Sequence, residues 1–363
     1  MKKQLITFAS LWVLALCSAV EGQFITGILK EKTQVQNNDS ITAIAPASIT
    51  RTIKQDSKGN IWIAAFDGVF KYNKGSFKAI TATVSNARFF SVLEDHKGNF
   101  WFCSVGAGVY YFDGTAFKHF TTTDGLANNR TIEIYEDKAG SIWFGTESGA
   151  SRYNGISFTN YKMNGGVPGS YVQPIIKNSA KAIFPDIVTN GEIAYKEDND
   201  VNSIIEDKAG KFWFATRGNT CTYDGKTFTT LTHNGIPFKN VRKIIEDSKG
   251  NIWLGGNDGL WRYDGKAFTN FTQNFVGYIY EDKKGNIWIS TETAKGQSWS
   301  LLRYEATSLL STQPTVTAIK ANERMIFGIA EAIDGSIWFG TMDGVHRYDG
   351  KSIIHFKAEK KDK

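Results

Sequence analysis

VRKIIEDSKGNIWLGGNDGLWRYDGKAFTNFT, residues 241–272, holds four short runs of strand-forming residues separated by three turn signals. Residues 241–247 form the first run, and Gly250 marks a turn before the second, 252–255. Asn257-Asp258-Gly259 turns the chain into a third run, 260–263. Asp264-Gly265 suits a tight hairpin, because both positions tolerate positive φ, and 267–271 completes the unit. Four strands joined by three hairpins make one antiparallel sheet. Versions of the unit recur around Trp62, Trp101, Trp143, Trp213, Trp253, Trp288 and Trp338, at spacings of 39, 42, 70, 40, 35 and 50 residues. Self-similarity at this period marks a repeat array.

A single four-stranded sheet cannot bury both faces. Seven of them stacked radially can, and only short edges stay open, so the chain reads as all-β, a seven-bladed β-propeller of four-stranded antiparallel blades. Composition agrees: 35 glycines for turns, 13% aromatic residues, 6 prolines, and no long helix-period run in 363 residues. The recurring EDKAGSIWFGT (136–146), EDSKGNIWLGG (246–256) and IDGSIWFGTMDGVHRYDG (333–350) resemble the two-component-regulator propeller repeat, known from extracytoplasmic sensor regions of bacterial hybrid histidine kinases. The resemblance runs over residues 48–356. Family sensors usually carry two such propellers, a third β domain, a membrane helix and a kinase, of which one propeller is read here; the resemblance implies a sensing role, with glycans as the usual ligands.

Residues 1–22 read as a secretory signal, with Lys2 and Lys3 ahead of an apolar core. Cleavage near Ala19 or Gly22 is the default; Cys17, behind a partial lipobox, offers a lipid anchor instead. The remaining parts are a linker at 23–47, the propeller at 48–356 with an insertion at 160–200, and a Lys-rich tail at 357–363. The expected location is the periplasm or the outer membrane and cell surface. Net charge is +6, and +4 once Lys2 and Lys3 are removed; it lies in the tail and the turns, so no nucleic-acid stripe is expected.

The recurring motifs are read as framework. Each Glu-Asp pair, such as Glu246-Asp247, stands before a turn whose backbone N–H groups an Asp can accept. Each motif tryptophan belongs between blades. Cys103 and Cys221 fall in non-adjacent blades and read as buried thiols. Without HxxxH, CxxC or a nucleophile elbow, neither metal ligands nor catalytic residues are expected, and no cofactor. A lyase reading would need a His joined to a Glu at the channel mouth, and Glu133 and His233 are the residues of the right type. A scaffold reading, resembling propellers of the type IX secretion system, would want a C-terminal sorting domain where this chain has its short tail.

Function is therefore sought where the copies differ. Hairpins between strands 1 and 2 are nearly uniform, whereas length varies at 160–200, 292–300 and 308–324, which this reading places on one face. Eleven residues before each motif tryptophan stand Arg51, Phe90, Ile132, Asn202, Arg242, Gly277 and Phe327. The next position holds Thr52, Ser91, Glu133, Ser203, Lys243, Tyr278 and Gly328, with Arg88 and Arg130 just upstream. These mixed residues predict a site at the channel mouth built from Arg51, Phe90, Arg130, Glu133, Asn202, Arg242, Lys243, Tyr278 and Phe327, with Trp299 and the insertion as its rim. Basic groups outnumber the one acid, so the expected partner is a polar, anionic ligand such as an acidic glycan, with a separate membrane signalling or envelope protein to receive the signal.

Overall fold

The computed structural model describes residues 36–42, 45–163, 188–189, 192–193, 199–293, 296 and 298–358. Residues 1–35 with Cys17, most of the 160–200 stretch and the last five residues lie outside them. Seven antiparallel sheets follow in chain order, each with its strands in sequential order. Their first strands are Thr50–Gln55, Phe89–Glu94, Thr131–Glu136, Val201–Glu206, Val241–Glu246, Val276–Glu281 and Ile326–Glu331. Each first strand neighbours the first strands of the blades on either side, and blade 7 meets blade 1, so the ring closes around a central channel.

Every interface between blades holds one core. Trp62 of blade 1 stacks on Phe100 of blade 2, with ring centroids 3.8 Å apart. Trp143 of blade 3 packs with Ile204 and Phe214 of blade 4, and Trp338 of blade 7 packs with Ile53 and Ile63 of blade 1. All seven motif tryptophans are buried. Emptying one such aromatic site costs about 3–5 kcal/mol.

The Glu-Asp pairs divide two tasks. In blade 5 the Asp247 carboxylate accepts the N–H groups of Lys249 and Asn251 on one oxygen, at 3.0 and 2.7 Å. Its other oxygen accepts the Trp253 indole N–H at 2.8 Å. The same bond from indole to aspartate recurs in blades 1, 2, 3, 4 and 6. The turn is thus locked to the core tryptophan six residues on. The glutamate reaches back to the preceding blade instead: Glu281 accepts the Ser248 N–H at 2.7 Å. Equivalent clasps join blades 1 and 2, 2 and 3, 3 and 4, 4 and 5, and 6 and 7. At the joint between blades 7 and 1 the position is Gln55, which donates to its own hairpin at Gly59.

Two expectations need correction. The stretch 23–47, read as a linker, contains a strand, Gln36–Thr42, which pairs in parallel with the last strand, Ser352–Ala358, and makes blade 7 five-stranded. The four-stranded blades themselves exchange no strand. Residues 308–324 are not an irregularity on the face of the channel mouth either. They contain the 3–4 connection and the fourth strand of blade 6, Val316–Glu323, which pairs with Trp299–Tyr304; the long connection lies on the opposite face.

Candidate channel-mouth site

All seven first strands carry a β-bulge at the same place. Register shifts between Thr50 and Thr52, Phe89 and Ser91, Thr131 and Glu133, Val201 and Ser203, Val241 and Lys243, Val276 and Tyr278, and Ile326 and Ile329. The extra residue in each blade falls on the position eleven before its tryptophan. A bulge re-aims a side chain out of the regular pleat, and here it frees one residue per blade from packing between blades. Those residues meet in a cavity of about 250 Å³.

Of the ten residues predicted for the site, nine line that cavity: Arg51, Phe90, Arg130, Glu133, Asn202, Arg242, Lys243, Tyr278 and Phe327. Trp299 does not. It opens the third strand of blade 6 and is 5% exposed, packed behind the bulge of its own blade. A Cβ on Gly277 would stand 2.7 Å from the Trp299 ring, so the glycine leaves the space that the indole fills. Trp299 is therefore wall and not rim. Asn202 is also partly engaged in structure, its amide donating to the Val241 carbonyl at 2.9 Å. The lyase pairing is not formed: His233 sits in a small hairpin against Trp261 and Phe268, and no histidine lines the cavity.

Sequence reasoning missed Phe66, Val105, Glu147 and Arg217, which line the outer wall from the 2–3 connections, together with Asp200. The first four stand four residues after their tryptophans, so the alignment that found the bulges contains them too. Arg130 pairs with Glu147 at 2.6 Å and Arg217 with Asp200 at 3.2 Å.

The Arg51 guanidinium lies between two rings, 4.0 Å from the Phe90 centroid and 4.2 Å from that of Phe327, each from a neighbouring blade. Such cation–π contacts hold a flat cation without a counter-ion. Its Nε is buried with no hydrogen-bond partner. Burial, and then repulsion from Arg242, lower the Arg51 pKa to about 9. Deeper in, Lys243 of blade 5 donates to Glu133 of blade 3 at 2.8 Å. The Lys243 ammonium is 5.5 Å from the Tyr278 ring centroid. Burial works against its charge, but Glu133 and Tyr278 together outweigh burial and hold the ammonium above its usual range. Lys54 of blade 1 feels both members of that pair. Ringed by protein yet still touching channel water, it is held below the usual lysine range by burial and by Lys243. Six cationic side chains line the cavity against three carboxylates, so the mouth carries a positive field.

Among the described residues no helix is long and apolar enough to cross a membrane. Over 48 residues, 13% of this chain, the sequence is 42% identical to histidine kinase P4 of Formosa agariphila, of which that stretch is 4%. The extracellular domain of the hybrid two component system BT3049 from B. thetaiotaomicron superposes with a TM-score of 0.61 at 21% identity, over 84% of this chain and 39% of that one. A streptogramin B lyase shares the fold at a TM-score of 0.59 and 14% identity, over 85% of this chain and 95% of its own. The chain therefore spans well under half the length of the relative and of the first of these structures. The family model described as two component regulator propeller matches residues 125–148, 196–218, 235–258 and 270–293, the first two strands of blades 3 to 6 with their approaches. Repeat by repeat, then, four of the seven blades match the two component regulator propeller model.

Proposed function

We propose that this protein is an exported, non-enzymatic sensing module that binds an anionic ligand at its channel mouth, an acidic glycan being the chemistry that fits best. One observation carries the reading. The framework repeats from blade to blade, yet the bulge residue varies, with two Arg, two Phe, Ile, Asn and Gly, and all seven converge on one positively charged, partly aromatic cavity. Aromatic faces at Phe90, Phe327 and Tyr278 suit a ring, while Arg51, Arg242 and Lys243 suit its acid group. The extracellular two component domain with the same fold supports an extracytoplasmic site of action, and the leader-like residues 1–22 support export. The signal would pass to a separate membrane signalling or envelope protein.

The test is a glycan array with the mature protein, followed by calorimetry on whatever binds. Replacing Arg242 and Lys243 together by alanine should weaken binding by roughly a hundredfold, at about 1.5 kcal/mol for each charged hydrogen bond. Raising salt from about 0.05 M to about 0.5 M should weaken the wild type, because the field is screened. A double variant that stays folded and binds as well as wild type would sink the proposal.

A further inference from the structure

Blades 3 and 5 are separated in the ring by blade 4, yet Glu133 and Lys243 join them directly across the channel. Both side chains are shielded, with 13% and 16% exposure. Glu133 is the one carboxylate at the two aligned positions of the seven first strands; Arg51, Arg242 and Lys243 are their cations. The lysine that stands deepest in the proposed site thus already holds an acid group, supplied by the protein itself. An incoming oxyanion cannot share Lys243 with Glu133 without setting two negative charges side by side in a partly dehydrated space, where their repulsion is strong. It must take the place of one.

We propose that Glu133 is an intramolecular stand-in for the ligand's acid group: it holds Lys243 while the channel is empty and is displaced when a carboxylate or sulfate of the ligand takes that lysine. The inference rests on the channel-mouth reading above. The stand-in keeps Lys243 aimed along the axis and spares the empty site an uncompensated buried charge. It also raises the threshold for occupancy. A small anion gains at Lys243 little more than Glu133 already provides, so tight binding requires a ligand that adds ring contacts with Phe90, Phe327 or Tyr278.

The decisive comparison is Glu133→Gln against Glu323→Gln. Each removes a carboxylate paired with a lysine, but Glu323 pairs with Lys320 in the fourth strand of blade 6, outside the cavity lining. Binding of sodium glucuronate and of sodium sulfate is followed by calorimetry and by the ¹⁵N signal of the Lys243 ammonium, with thermal melts to confirm folding. Glu133→Gln should bind at least one of the two anions roughly tenfold more tightly than wild type, and Glu323→Gln should change affinity by about twofold or less. Which anion gains identifies the acid group as carboxylate or sulfate. Unchanged or weaker binding by Glu133→Gln, or equal tightening in both variants, overturns the stand-in and leaves the site itself standing. Absence of saturable binding in all three proteins overturns the channel-mouth reading together with it.

Discussion

Replacing Asp247 by alanine tests whether the turn and the core tryptophan of a blade are one unit. Asp247 is 3% exposed and its carboxylate accepts four hydrogen bonds, from the Lys249 and Asn251 N–H groups, the Asn251 amide and the Trp253 indole. Lys249 is exposed and Asn251 is half-buried at the end of the exposed turn, so the two turn N–H groups can find water once the carboxylate is gone. Each exchange costs about 0.5–1 kcal/mol. The indole cannot find water, because Trp253 is fully buried, and an orphaned buried donor costs about 1–3 kcal/mol. The sum is about 2–5 kcal/mol, read as a shift of the guanidinium midpoint at constant slope. Trp253→Phe removes the donor but keeps an aromatic ring. In the double variant the orphan no longer exists, so the cycle should return a coupling of about 1–2 kcal/mol. A loss under about 1 kcal/mol in Asp247→Ala, or a coupling near zero, would refute the claim that the aspartate serves the tryptophan as well as the turn.

Because Trp299 is core, Trp299→Ala should cost about 3–5 kcal/mol, as much as Trp253→Ala; a loss below about 1 kcal/mol would return it to the surface. His346 is buried against Phe339 and His355, and burial, then the nearby charges of His355, Lys320 and Lys357, lower its pKa to about 2. The unfolded chain binds a proton near pH 6.5 that the native protein refuses, so stability is present above that pH and falls as acid is added, by about 2 kcal/mol at pH 5. His346→Phe should flatten that slope between pH 7 and 5, as measured by denaturant midpoints, and an unaltered slope would show that another group is responsible. Hydrogen exchange should find the joint between blades 7 and 1 the first to lose protection, in 50–55 and 326–331; uniform exchange around the ring would contradict it.

The blades were legible because each rests on local chemistry: glycine turns, Asp-Gly hairpins, and a tryptophan at a fixed place. The channel mouth was legible for a related reason, since aligning the chain on those tryptophans lines up every bulge residue even though a bulge is a backbone event that leaves no residue signature. What stayed hidden depends on pairs of residues far apart. Nothing in Trp299 itself, or in Gly277 itself, says that one fills the space the other vacates. The polar strand Gln36–Thr42 has little strand propensity, and only an unpaired edge on blade 7 gives it a place. The glutamates looked like companions of the aspartates in each turn. Their partners are one blade away, at a separation of 33 to 68 residues in the chain.

A ring with six like joints and one unlike them does not come apart at random. Six of the joints combine an aromatic core with a glutamate that grips the neighbouring hairpin, while the seventh lacks that glutamate, with Gln55 turned back on itself and Ala332 where the other blades have aspartate. The strand Gln36–Thr42 lies along the outer edge of blade 7, close beside that joint, and ties the start of the described chain to its end. Mechanically the molecule is a linear series of seven plates with its ends fastened together, and the fastening is the joint without the clasp that the other six carry.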